Sequence, residues 1–171
     1  MSLGETQNEL ARLFTMRAAR AEQAPDELSA EIERFARGLI AKRRLDVAKW
    51  LPLTAKVLGP ALGAQLREAL AEPPPGARAD ALALVARLQS AREPPWIGEL
   101  SAYEGEFLRA WGPRARLALR FYRWPVPRIA ERLAAGEVVI DEARSPTLAL
   151  WARPPGGRLR HRWRTLRGRT G

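Results

Sequence analysis

Four arginines, Arg158, Arg160, Arg162 and Arg164, alternate with Leu159, His161, Trp163 and Thr165 near the end of this 171-residue chain. In an extended strand, successive side chains project to opposite faces. The spacing therefore predicts four guanidinium groups on one face and a mostly apolar set on the other. Thr147-Leu148-Ala149-Leu150-Trp151-Ala152 reads as the partner strand, and Pro154-Pro155-Gly156-Gly157 as the turn between them. Eight arginines and no Asp or Glu fall between Ala143 and Gly171. A basic, aromatic-bearing hairpin of this kind holds something anionic; it is not the signature of a catalytic centre.

The remaining catalytic inventory is nearly empty. The chain has no Cys and one His, so a thiolate or His-rich metal site cannot be assembled. Its five serines, Ser2, Ser29, Ser90, Ser101 and Ser145, include none in a G-x-S-x-G turn. Neither G-x-G-x-x-G nor G-x-x-x-x-G-K-[ST] occurs, and no nucleotide site is indicated. The expectation is a chain with no catalytic residue, no metal ligand and no cofactor of its own.

Charge is unevenly distributed within the total of +10. Residues 1–93 hold 14 Lys and Arg against 12 acids, whereas residues 94–171 hold 15 arginines against 7 acids. Such asymmetry points to an acidic protein or peptide, to nucleic acid, or to an anionic membrane surface. No amphipathic insertion helix is evident, and no run of about 18 apolar residues could span a bilayer. The opening residues are polar, without a signal-peptide core. The expected location is the cytoplasm, without membrane association.

The elements that would carry the basic hairpin follow from periodicity. Thr6 with Glu9 fits a capping box ahead of Leu10, Leu13 and Phe14. A second helix should begin near Asp26, with Leu28, Ile32, Phe35, Leu39 and Ile40 forming a stripe. A third runs through Leu45, Ala48 and Leu51 until Pro52 kinks or ends it. Gly59-Pro60 opens a fourth containing Leu62, Leu66 and Leu70, a fifth covers about Asp80 to Gln89, and a sixth turns Leu100, Tyr103, Phe107 and Trp111 inward. Gly112-Pro113 marks a change of period. Beyond it, strands are expected at Leu117–Trp124, at Val138–Ile140 and in the hairpin, with a short helix from Arg128 to Ala135. The fold class is α+β: an all-helical domain over 1–111, then a small α+β domain over 112–171 with a three- or four-stranded, mainly antiparallel sheet and one helix.

Four further groups bear on chemistry. Lys42, Lys49 and Lys56 recur every seven residues beside Arg43 and Arg44, as on a solvated or phosphate-gripping face. Glu99, Glu104 and Glu106 fit no di-iron spacing and read as helix surface. His161, between two arginines, should be a half-buried sheet histidine that resists protonation. Phe121, Tyr122, Trp124, Trp151 and Trp163 all fall on expected strands. They would form the core of a small sheet, or stack the bases of single-stranded nucleic acid.

Two segments resemble a known family. Glu99-Leu100-Ser101-Ala102-Tyr103-Glu104 is similar to its ELA-x-x-E helix. Trp124-Pro125-Val126-Pro127-Arg128-Ile129, followed by Leu148-Ala149-Leu150-Trp151-Ala152-Arg153, is similar to its x-P-V-x-x-I … L-x-V-W/Y-R pattern. The segment Phe35 to Ala71, with Lys42-Arg43 and Trp50-Leu51-Pro52, resembles versions fused behind an oxidase. The family comprises helical-plus-β partner proteins of multinuclear non-haem iron oxidative enzymes, which modify ribosomally made peptides in methanobactin-type pathways. Many members carry a DNA-binding-domain label. Pro127 departs from the family's frequent His, and basic residues around Lys42 replace its R-x-x-Y-R element. The resemblance implies a non-catalytic subunit that docks to a TIM-barrel oxidase, where the iron resides, and presents a precursor peptide to it. In that role, the residues expected to bind the peptide are Arg158, Arg160, Arg162, Arg164 and Arg120, with Trp163, Trp151, Trp124 and Tyr122; the three tryptophans would either form an apolar wall or pack in the core. A strand edge would supply backbone hydrogen bonds to the leader. Nucleic-acid binding through the same arginines is the alternative.

Overall fold

The structure is a computed structural model and describes residues 26–69, 76–91, 93–111 and 116–166. The expected helix through Leu10, Leu13 and Phe14, and Leu70, lie outside the described residues. Packing divides the chain into two compact units, residues 1–43 and 44–171. Helix α1 (Asp26–Trp50) begins in the first unit and ends in the second. Phe35 and Leu39 of its expected stripe are exposed, while the side chains of Leu28 and Ile32 are outside the described set.

Instead of two helices, α1 is continuous for 25 residues. Lys42, Arg43, Arg44, Leu45, Ala48 and Lys49 are all strong helix formers, and nothing among them interrupts the backbone ladder. The helix stops short of Pro52, which lacks an N–H to donate, and Pro52 opens α2 (Pro52–Leu58) instead, where that N–H is not needed. A 3-10 turn (Gly59–Ala61) leads into α3 (Leu62–Ala69), followed by α4 (Ala77–Leu88) and α5 (Ile97–Ala110). The order is completed by β1 (Arg116–Tyr122), α6 (Val126–Ala134), β2 (Thr147–Arg153) and β3 (Arg160–Thr165). The fold is α+β, with helices concentrated before the strands.

The sheet has the order β1-β2-β3, antiparallel throughout. Val138–Ile140 forms no strand. Val139 is buried and its neighbours are exposed, as in a strand, yet the segment joins no ladder. Side-chain alternation alone does not pair a backbone. Trp111, expected inward, is 69% exposed. It follows the last turn of α5 in extended conformation and meets Trp50 edge-on at 6.4 Å.

Within the second unit, α5 contributes to two apolar clusters. Leu108 joins Val47, Leu51, Leu66, Leu84 and Leu88; Ile97, Leu100 and Tyr103 join Val126, Ile129 and Trp151. Burying each such aliphatic side chain contributes about 1.5–3 kcal/mol. Helix and sheet thus share a core across the Gly112-Pro113 position. At Gly98 an added Cβ would lie 2.6 Å from the Leu88 carbonyl oxygen, so glycine is what allows the start of α5 to abut the end of α4.

Candidate binding surface

Three carboxylates of α5 fix the elements around the sheet, and none behaves as ordinary helix surface. Glu99 accepts hydrogen bonds from the Arg123 and Trp124 amides at 3.0–3.2 Å, holding the turn after β1. Glu104 accepts from the Leu53 and Thr54 amides at 2.9 and 2.8 Å and from the Thr54 hydroxyl at 2.6 Å. It caps α2 from another helix, where Leu51 offers no side-chain cap. Burial raises the Glu104 pKa, and its three hydrogen bonds do not fully offset that rise. Glu106, only 1% exposed, binds Arg120 at 2.7 Å, Arg116 at 2.7 Å and Arg109 at 3.1 Å. Burial pushes its carboxyl upward, but hydrogen bonds and charge from Arg116 and Arg120 outweigh this and hold it below the ordinary range. The partners of Glu104 and Glu106 lie mostly far off in sequence, so helical spacing carried no sign of them.

The strand register creates two unlike faces. Outward from β1 stand Leu117, Leu119 and Phe121, exposed by 77%, 60% and 59%. They lie opposite Ala152, Leu150 and Leu148 of β2, respectively. Those residues in turn lie opposite Arg160, Arg162 and Arg164 of β3. Each rung across the sheet therefore reads apolar, apolar, arginine, and none of the nine outward positions is acidic.

The inner face carries most of the expected aromatic wall. Tyr122 and Trp151 are core residues, 3% and 0% exposed. Trp163, opposite Ala149, lies on the same side of the sheet and is partly exposed. Arg120 also points inward, to Glu106. Trp124 lies past the end of β1, half-buried beneath the Arg144 guanidinium at 5.5 Å. Arg158 is exposed, after the turn and before the β3 ladder. Of the nine expected site residues, Arg160, Arg162 and Arg164 are brought together on the outward face; the aromatic ones and Arg120 are not. Leu117, Leu119 and Leu150 were missed as surface residues, although their alternation was readable. Both alternating sets on β1 contain apolar residues, so periodicity did not tell which would face the core.

His161 packs between Trp151, Phe107 and Tyr103, with ring centroids 4.9, 5.2 and 5.3 Å away. Its pKa is lowered, as expected, but the main cause is burial, which the charge of Glu131 partly opposes. Of the lysine series, Lys42 and Lys49 are on α1 and Lys56 is on α2; Lys49 pairs with Asp46 at 3.0 Å, and Lys56 donates to the Leu133 carbonyl at 2.7 Å, at the end of α6. The hairpin turn is anchored by Arg153, which donates to the Ala110 carbonyl at 2.8 Å and to Gly157 at 3.2 Å. Gly156, at φ +65°, supplies the left-handed residue of that turn.

Among the described residues, no group of three His, Cys, Asp or Glu side chains could hold a metal ion, and no helix is long and apolar enough to cross a membrane. No family model matches the chain, and no curated protein or solved structure is significantly similar to it.

Proposed function

We propose that this chain is a non-catalytic, cytoplasmic partner subunit that binds an iron-dependent, TIM-barrel peptide-modifying oxidase and recruits its ribosomally made precursor peptide. Chemistry and iron belong to the oxidase. The helical part docks to it, and the sheet holds the peptide. The observation that carries this reading is the outward sheet face, where exposed apolar rows run beside a row of arginines. Adjoining exposed apolar side chains with a charged margin are the arrangement of surfaces that bind other molecules. The nucleic-acid alternative is weaker. A base-stacking platform needs aromatic rings beside its arginines, and Phe121 is the single aromatic among the outward strand positions.

An oxidase gene and a short open reading frame beside this gene would fit the proposal. The decisive experiment co-purifies the chain with that oxidase, titrates the precursor and compares turnover with and without the chain. Capture of both and a dependence of turnover on the chain are expected. An oxidase that works at full rate alone, with neither molecule bound at micromolar concentration, refutes the reading.

A further inference from the structure

From the outward face we infer that a peptide docks on that face as an amphipathic α-helix with a row of carboxylates along one flank, rather than lying across it as an extended segment. This rests on the reading of the chain as a peptide-recruiting subunit and specifies the form of its ligand.

The first argument is backbone chemistry. Backbone groups of β2 are bonded on both sides and those of β1 and β3 on one, their free groups pointing sideways along the two edges, so the outward face itself offers side chains only. An extended segment laid on that face would bury amide groups with nothing to bond to. A helix brings its backbone bonds with it.

Size is the second. Three strands spaced about 4.8 Å apart make a face roughly 10 Å wide, and six or seven residues at about 3.3 Å make it roughly 20 Å long. A helix is about 10–12 Å across and covers 20 Å in about 13 residues. The two outlines match, so the face seats one helical peptide segment along its length.

The third argument is register. Arg160, Arg162 and Arg164 recur every second residue on β3, about 6.6 Å apart. Helical residues four apart rise about 6 Å. Carboxylates at i, i+4 and i+8 on one flank can each meet one arginine while leucine-like residues on the adjoining face cover Leu119, Leu150 and Phe121. A second copy of the chain is a poor occupant. Two such faces brought together would each bury arginines without one carboxylate between them, which carries a heavy desolvation cost.

A displayed library of helices of about 15 residues tests the ligand's form. Apolar positions are fixed at i, i+4, i+7 and i+11, and flank positions vary among Glu, Gln and Lys. Selection on the full chain should enrich Glu over Lys about tenfold or more along one flank. Combined substitution of Arg160, Arg162 and Arg164 by Gln should abolish that preference. Phe121→Asp, at an exposed position, should abolish capture. A matched library with a central proline should yield nothing. Absence of any binder, indifference to charge, or equal enrichment of the proline library overturns the inference. A photo-crosslinker at position 119, in the complex with oxidase and precursor, tests the source. Crosslinking to the precursor is expected, and crosslinking to the oxidase overturns it. If proline-containing peptides win while the oxidase is still captured, the helical docking mode alone fails and the partner role stands.

Discussion

Replacing Glu106 by Gln tests whether one buried carboxylate ties β1 to α5. The wild-type group serves three arginines at 2.7–3.1 Å while being 1% exposed. Gln retains a single carbonyl oxygen and no charge. Removing one partner of a fully buried ion pair costs about 3–5 kcal/mol. Here the side chains of Arg109, Arg116 and Arg120 are 33%, 30% and 53% exposed and can regain water, so a loss of about 2–3 kcal/mol is expected. For a chain of this length, that lowers Tm by roughly 4–12 °C. Arg120→Gln removes the most exposed of the three partners and should cost only about 0.5–1 kcal/mol. The dependence on pH fixes the sign. The folded-state pKa of Glu106 lies below its ordinary value of 4.5, so its stabilisation is present above pH 4.5 and is lost as pH falls toward the folded pKa. The gap between wild type and Glu106→Gln should narrow below pH 4.5, by at most about 1.4 kcal/mol per pH unit. Urea unfolding followed by circular dichroism at pH 7 and at acid pH provides both numbers. If Arg120→Gln costs as much as Glu106→Gln, or the gap widens on acidification, the assigned role of Glu106 is wrong.

Glu104→Gln should show the opposite dependence: its folded pKa is raised from 4.5, so its contribution is full below that value and declines as pH rises through the folded pKa. A loss of about 1–3 kcal/mol in acid that shrinks toward neutrality in the same unfolding assay is expected. Gly98→Ala brings a Cβ to 2.6 Å from the Leu88 carbonyl oxygen and should cost about 1–3 kcal/mol, whereas an unchanged Tm would refute the close approach. Trp151→Leu, in the core at 0% exposure, should cost at least about 2 kcal/mol, and Trp163→Leu, 37% exposed, distinctly less. Equal losses in thermal melts would contradict the division between the two rings.

The fold class could be read because its signals are local: Pro52, Gly112-Pro113 and the switch from helical to strand-like spacing each act within a few residues. Alternation also separated Arg160, Arg162 and Arg164 from His161 and Trp163 correctly. It could not say which face of β1 meets the core, because Leu117 and Leu119 are as apolar as the residues that do. The register with Leu150 and Ala152 decided that, and register depends on contacts some thirty residues apart. Glu104 and Glu106 escaped for the same reason: Thr54 lies 50 residues before the first, and Arg120 lies 14 after the second. Val138–Ile140 failed in the reverse sense, since it has the right residues and no strand beside it.

The two sides of this sheet answer to separate demands. Substitution at Trp151, Tyr122 or the Arg120–Glu106 contact is judged by whether the chain folds. Substitution at Leu119, Phe121 or Arg162 disturbs almost nothing the fold relies on. Outward positions can therefore change one at a time while the packed face keeps the fold. On the proposed reading, ligand preference can be altered one rung at a time without unfolding the chain.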